Sequence, residues 1–367
     1  MIARGHVSPP TLFQEGLEGT VEQASARKRI SIVTRFVPLG FFSLYLGFTV
    51  LVFAFGPWMW PIKNNFELYT FLFFSQVALA AGYVIGALRR PRKYYWRWSY
   101  KELLTLSLFL NLLLLLPTSW SRTGSWIPNV VEGIRNPGIV YYLANARQAE
   151  GGNAIEYLRI LLGPLLVLYF PLAIFYWQKI GRKQKFLVIL IVLWTAATWI
   201  AIGTNKGLAD YVLLIPWIFL SSFLAKEFRP AKGTKIAFFV FAAVFLIGFF
   251  FFFTAGNMQR TGGGVFYMET PNVAANEDHP LIKSAPNNIK VGITALSAYI
   301  SQGYYGLSLS MQKPFLPMFG VGNSFFFYRN AARLLQNPDI EYRPYPARLE
   351  KDGWSASGNW SSIYPWI

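Results

Sequence analysis

The stretch that decides the fold lies in the middle of the chain, where residues 186–225 read FLVILIVLWTAATWIAIGTNKGLADYVLLIPWIFLSSFLA. Two apolar runs flank a short polar turn at residues 203–210. A helix needs about 20 apolar residues to cross the hydrocarbon core of a bilayer. We therefore expect two membrane-crossing helices joined by a tight turn.

The rest of the chain extends this pattern. Of the 367 residues, 54% are hydrophobic and only 14% are charged, whereas soluble domains carry about 25% charge. This composition excludes an ordinary soluble enzyme and a disordered chain. We predict an all-α polytopic membrane protein with about seven spans, in which Pro171 and Pro216, inside the fourth and sixth spans, could mark kinks. The predicted spans are 37–56, 67–88, 103–120, 158–177, 186–203, 211–225 and 236–256.

The basic residues predict the orientation. Segments 1–36, 89–101, 178–185 and 226–235 hold 19 of the 34 Lys and Arg residues, whereas 57–66 and 204–210 hold one each. Because Lys and Arg collect on the cytoplasmic side, we expect a cytosolic N-terminus and three regions. These are a cytosolic tail (1–36), a helical membrane domain (37–257) and an extracytoplasmic loop (258–367).

The loop region carries two further expectations. Its stretch 291–328 is apolar and aromatic but interrupted by Gly, Pro and polar residues, so we predict one or two helices that lie at the interface or re-enter the membrane. The last residues, SSIYPWI at 361–367, resemble the approach to another helix. We therefore expect that further spans follow in the complete protein.

Several classes of chemistry are disfavoured. The chain has no cysteine and only two histidines, His6 and His279. This excludes thiolate nucleophiles, Cys-based clusters and a multi-His metal site, and we predict no metal and no cofactor. The spans hold almost no carboxylates, which argues against an ion pump. The net charge of +17 then points to topology signals and an anionic ligand, and not to nucleic acid.

Two cations are candidates for that ligand. The turn at 203–210 combines small residues with Asn205 and Lys206, and the next helix is expected to begin near Asp210. Free N–H groups at a helix N-terminus and a nearby cation suit a phosphate. Arg260 follows the seventh span and precedes a glycine run at 262–264. The alternative is that Lys206 and Arg260 only anchor the helices at the interface and that Asp210 caps its helix. Arg159, at the start of the fourth span, is more typical of an anchor.

Two other groups in the loop could contribute. Glu277, Asp278 and His279 are closely grouped acids with a histidine, suited to a general base or simply to a hydrated loop. The run YISQGYYGL at 299–307, followed by FGVGNS at 319–324, offers aromatic faces for sugars, or an aromatic belt at the interface.

These runs, the turn at 203–210, the Arg at the opening of a large outer loop and the tail from Gly353 together resemble the bacterial oligosaccharide repeat-unit polymerases. This is the Wzy type, which is related to the O-antigen ligases. The resemblance covers roughly residues 185–367. The chain has Lys206 where many relatives have Arg, which keeps the charge but loses a bidentate fork.

The resemblance implies a GT-C-like glycosyltransferase in the bacterial cytoplasmic (inner) membrane. It would join polyprenyl-pyrophosphate-linked oligosaccharide repeat units into O-antigen or exopolysaccharide. Further implied partners are membrane lipids, a chain-length regulator and a flippase. An O-antigen ligase that uses another acceptor, or a lipid-linked oligosaccharide transporter, remains an alternative. The implied site residues are Lys206, Arg260 and Asn205 for the pyrophosphate, Arg329, Arg333, Tyr304 and Tyr305 for the glycan, and His279, Asp278 and Glu277 for catalysis.

Overall fold

The computed structural model describes residues 32–89, 98–149, 154–225, 227, 232–260, 262, 273–314 and 331–342. Within these residues the chain forms twelve α-helices and a 3-10 turn at Pro338–Tyr342, and no β-strand. The helices are α1 (Ile32–Phe55), α2 (Asn65–Leu88), α3 (Tyr100–Thr123), α4 (Val130–Arg135), α5 (Pro137–Ala149), α6 (Ala154–Leu161), α7 (Gly163–Val167), α8 (Tyr169–Phe175), α9 (Arg182–Ala201), α10 (Lys206–Leu224), α11 (Lys232–Arg260) and α12 (Asn287–Met311).

The prediction of an all-helical, multi-pass membrane protein is confirmed. Among the described residues, six helices are long and apolar enough to cross a bilayer: α1, α2, α3, α9, α10 and the second half of α11. Many of their large apolar side chains are exposed on the outside of the bundle. That arrangement is stable only where lipid replaces water, since burial of apolar surface is the main driving force of folding in water.

The predicted fourth span is broken. It consists of α6 followed by α7 and α8, with a bend of 72° after Leu161. Two prolines explain the breaks. Pro164 has no backbone N–H and lies next to the bend. Pro171 likewise cannot donate a hydrogen bond to the carbonyl of Val167, the residue at which α7 ends. Pro216, in contrast, lies inside the continuous helix α10.

Polar side chains of α3 satisfy backbone groups beside this break. Ser107 Oγ donates to the carbonyl of Leu165 at 2.6 Å, and Asn111 Nδ2 donates to the carbonyl of Leu166 at 2.9 Å. Irregular backbone at membrane depth is tolerated only when neighbouring groups replace its hydrogen bonds. Ser107 and Asn111 are therefore explained by their hydrogen bonds to backbone carbonyls beside the break in the fourth span.

The contacts divide the helix ends into two sets. At one end, Arg122 of α3 pairs with Glu156 of α6, and Arg260 of α11 contacts the turn between α9 and α10. We call this the Arg260 end. At the other end, Arg35 of α1 contacts Ala87 of α2, and Lys179, before α9, pairs with Glu227, beyond α10. We call this the Lys179 end. Consecutive spans thus run in alternate directions, as the charge pattern predicts.

Helix α12, from the stretch predicted to be interfacial or re-entrant, is packed into the bundle against α1, α2 and α11. Its residues from Val291 to Ser308 are largely buried. The hydroxyls of Tyr304 and Thr49 are 2.6 Å apart, and the indole N–H of Trp58 donates to the carbonyl of Thr294 at 2.9 Å. Residues 315–330, which complete the predicted stretch, lie outside the described residues.

The crossing of α11 and α12 depends on a glycine. A Cβ at Gly292 would overlap Thr254 Oγ1 and lie 2.5 Å from Phe250 Cζ. We expect Gly292→Ala to destabilise the protein by about 1–3 kcal/mol through overpacking, measured by thermal unfolding in detergent. Gly248→Ala on α11 is the matched control because no atom lies within 4 Å of its added Cβ. Equal unfolding temperatures for the two variants would contradict this account.

Candidate functional site

The turn between α9 and α10 has a fixed conformation. Gly203 has a φ of +64°, and its N–H donates to the carbonyl of Ile200 at 2.9 Å. The N–H of Thr204 donates to the carbonyl of Trp199 at 3.2 Å. A left-handed glycine after the last helical residue is a common way to end a helix. The turn thus presents residues 203–206 at the Arg260 end.

Helix α10 begins earlier than the sequence indicated. Its first residue is Lys206, and Asn205 occupies the N-cap position. The side chain of Asn205 makes no capping hydrogen bond. The expectation of a start near Asp210 is therefore wrong, and so is the alternative in which Asp210 caps the helix. The backbone favours helix immediately after the tight turn, and Asp210 lies one turn inside. The free N–H groups at the N-terminus of α10 therefore lie next to the turn at 203–206. The side chain of Lys206, the first residue of α10, is exposed beside them.

Arg260 contacts this turn directly. Its Nη2 donates to the carbonyl of Gly203 at 2.6 Å, and its guanidinium carbon lies 3.8 Å from the centre of the Tyr141 ring. It also hydrogen-bonds the Tyr299 side chain. Contacts from α5, α12 and the turn thus hold the guanidinium in one place, although Arg260 and Lys206 are 54 positions apart in the sequence.

Three buried polar atoms at this place have no hydrogen-bond partner among the described residues. They are Nε of Arg260, Oγ1 of Thr204 and Oδ1 of Asn205. Buried polar atoms are nearly always paired with protein groups or water. A guanidinium N–H and a hydroxyl donate to phosphate oxygens, and the Asn205 amide can present either its oxygen or its N–H₂ group. The turn and Arg260 therefore form a polar, cationic site whose three unpaired atoms can bond to a ligand or to water.

An ionic cluster of α3 and α6 is connected to the turn through Trp199. Arg122 Nε and Nη2 donate to the Glu156 carboxylate at 3.0 and 3.1 Å, and Arg159 Nη1 donates to it at 3.1 Å. The Arg122 guanidinium also lies 4.4 Å from the centre of the Trp199 ring. Trp199 in turn packs against Gly207 at the start of α10. The cluster therefore helps to position Trp199, which packs against the first turn of α10.

Sequence reasoning missed this cluster, since it treated Arg159 as an anchor and did not consider Arg122. One signal was available: Glu156 and Arg159 are three residues apart, the spacing of an ion pair on one helical face. The pairing with Arg122 could not be read from the sequence because it depends on how α3 and α6 pack.

The group Glu277, Asp278 and His279 lies beside the C-terminal end of α1, which is opposite to the end that carries Arg35. His279 Nε2 lies 2.9 Å from the carbonyl of Phe55 at the end of α1, and its Nδ1 accepts from the Leu281 N–H at 3.3 Å. Both ring nitrogens are therefore committed to backbone groups. Asp278 pairs with Lys283 at 3.2 Å, and Glu277 is exposed. The described contacts attach this loop to α1 and not to Arg260.

The residues expected to contact a glycan are also separated. Tyr304 and Tyr305 belong to a buried aromatic cluster with Phe53, Trp58 and Trp60. This packing explains both tyrosines without a ligand, and their role toward a glycan stays a prediction. Arg333 is exposed in a short helical turn. Arg329 lies outside the described residues.

No group of three or more His, Asp or Glu side chains within the described residues is placed to hold a metal ion. The comparisons with known proteins found no match: no family model, no curated protein and no solved structure is similar to this chain. Fold and site together define a multi-pass helical membrane protein with a cationic, incompletely hydrogen-bonded site at one end of its bundle.

Proposed function

We propose that the protein is a membrane glycosyltransferase that polymerises polyprenyl-pyrophosphate-linked oligosaccharide repeat units into a surface polysaccharide, on the extracytoplasmic face of a bacterial inner membrane. The observation that carries the proposal is the contact of Arg260 with the turn at 203–206, where three buried polar atoms lack partners among the described residues. A pyrophosphate would supply the acceptor oxygens. The resemblance to the Wzy-type polymerases supports the choice of reaction and of a GT-C-like architecture.

The chemistry assigns these residues a role in the departure of the carrier. The bond between the anomeric carbon of the donor sugar and a pyrophosphate oxygen breaks, and a hydroxyl of the acceptor sugar bonds to that carbon and releases its proton. Negative charge develops on the departing pyrophosphate. Arg260, held by its contacts with Gly203 and Tyr141, and the exposed Lys206 stabilise this charge as it forms, and this lowers the barrier.

The proton of the acceptor hydroxyl requires a base. His279 is a poor candidate because both of its ring nitrogens bond to the backbone, and Asp278 is engaged with Lys283. Glu277 retains an exposed carboxylate. We therefore propose Glu277 as the base within this group, with Arg333 in contact with the growing glycan.

The reaction is tested with the protein in liposomes, supplied with a polyprenyl-pyrophosphate-linked oligosaccharide. The proposal expects a ladder of longer glycans and stoichiometric release of polyprenyl pyrophosphate. Transfer only to a different acceptor would identify a ligase. Movement of the intact lipid-linked oligosaccharide across the bilayer without a new glycosidic bond would identify a transporter and overturn the proposal.

The proposal requires the Arg260 end to face the extracytoplasmic side. Since the chain has no native cysteine, single-cysteine variants report position without background. We expect Glu277→Cys to react with a membrane-impermeant thiol reagent from outside the intact inner membrane. The matched variant Lys183→Cys, exposed at the Lys179 end, should react only after permeabilisation. The reverse pattern would place the site in the cytosol and exclude the proposed reaction.

A further inference from the structure

Helices α4 and α5, with the residues just before them, carry a row of large apolar side chains that are between 53% and 69% exposed. The members are Trp126, Ile127, Val131, Ile134, Ile139, Tyr142 and Leu143, and we call them the apolar stripe. On α5, Ile139, Tyr142 and Leu143 are three and four positions apart, so they share one face of the helix.

The opposite face of α5 is firmly attached to the bundle. Pro137, Gly138 and Ala144 are buried, and the N–H of Gly138 donates to the side-chain oxygen of Gln259 at 2.8 Å. Gln259 also donates to the carbonyl of Arg135 at 3.0 Å. The segment is therefore a fixed part of the Arg260 end, and its stripe is held on the outside. Soluble proteins rarely expose an apolar surface of this size without a partner.

The stripe is continuous with surface that faces lipid. Helix α3 is one of the candidate spans, and its exposed Leu116 and Trp120 lie near the end that leads into the stripe. The rings of Trp120 and Trp126 stack with centroids 6.0 Å apart, which joins the two surfaces. Trp and Tyr are enriched where a membrane meets water. Because the apolar stripe continues the exposed apolar surface of α3, the bilayer is the partner that we expect to cover the stripe.

We infer that the α4–α5 segment lies in the membrane interface, with the apolar stripe inserted at the boundary between headgroups and acyl chains, as in an amphipathic interfacial helix. Tyr142 faces outward in the stripe, while its neighbour Tyr141 stacks on Arg260. The cationic site thus lies directly behind a lipid-facing helix. An anion attached to a lipid would reach Arg260 from the bilayer side. The placement of the segment does not depend on the proposed reaction.

The experiment uses the full chain in liposomes with a fluorescent, polarity-sensitive label on one cysteine. The stripe variants are Ile139→Cys and Leu143→Cys. The matched control is Asn145→Cys, exposed on α5 but off the stripe. A further reference is Leu113→Cys, 60% exposed in the middle of α3. Lipids with a nitroxide quencher at a shallow or a deep acyl position, and a water-soluble quencher, report the depth of each label.

We expect both stripe labels to emit at shorter wavelength than the Asn145 label and to lose most of their emission to the shallow lipid quencher. The Leu113 label should respond more to the deep one. Quenching of the stripe labels mainly by the water-soluble agent would overturn the inference, because the segment would then be solvated. Protection from all quenchers would also overturn it, because a protein surface, such as a second copy of this chain, would then cover the stripe.

Discussion

Replacement of Arg260 by alanine should reduce polymer formation by about 10²–10³-fold, the usual effect of removing one donor that stabilises developing charge. The guanidinium donates to the Gly203 carbonyl through Nη2, and within the described part of the chain its buried Nε has no partner. Lys206→Ala should have a similar effect. Lys206→Arg should keep partial activity because the charge remains, whereas Arg260→Lys loses the planar fork that reaches two oxygens at once.

The measurement is the length distribution of the glycan at equal protein level in the membrane. Arg135→Ala is the matched control, since Arg135 is an exposed cation near Gln259 at the same end of the bundle. The Arg135→Ala variant removes one positive charge, as Arg260→Ala does, but leaves the contact between Arg260 and the turn intact. It should therefore keep activity. Thermal unfolding in detergent separates lost chemistry from a loosened turn. If Arg260→Ala and Lys206→Ala are both well expressed and still yield full-length glycan, the two residues are only interfacial anchors.

Gly203→Ala should damage the site through the backbone. At a φ of +64° a residue with a Cβ is strained by about 1–2 kcal/mol. The added Cβ would also overlap the carbonyl oxygen of Pro137 and lie 2.9 Å from Val140 Cγ2, and overpacking of this kind costs about 1–3 kcal/mol more. We expect a lower unfolding temperature and a loss of activity, because the turn must shift away from α5 and from Arg260.

Gly181→Ala is the matched control at the other end of the same helix. Gly181 has a φ of −70°, and no atom lies within 4 Å of its added Cβ. This variant should unfold close to the temperature of the unchanged protein, because the restriction of the unfolded chain by alanine offsets its poorer fit to the N-cap position of α9. A Gly203→Ala variant as stable and as active as Gly181→Ala would show that the turn tolerates rearrangement and is not a preorganised site.

The extent to which the sequence predicted the site differs from residue to residue. Lys206 and Asn205 could be proposed because small and cationic residues interrupt two apolar runs over a short distance. The position of Arg260 at the end of a span was also evident, since its apolar run ends there. Its partners Tyr141 and Tyr299 were not evident, because they come from α5 and α12. No local pattern specifies which distant side chains a cation meets.

The sequence by itself determined that this is a multi-pass helical membrane protein, and it placed six of the spans close to the helices observed. It could do so because the length of an apolar run and the scarcity of charge are local properties that the bilayer tests one segment at a time. The alternation of basic connections likewise predicted which helix ends lie together.

Only the tertiary structure decided the rest. The burial of α12 and the contact of His279 Nε2 with the carbonyl of Phe55 depend on contacts between segments far apart in the chain. The same holds for Arg122, which reaches Trp199 through the packing of α3 against α9. Such contacts follow from the shapes of packed helices and from the need to pair each buried polar group. Neither property can be read from one segment alone.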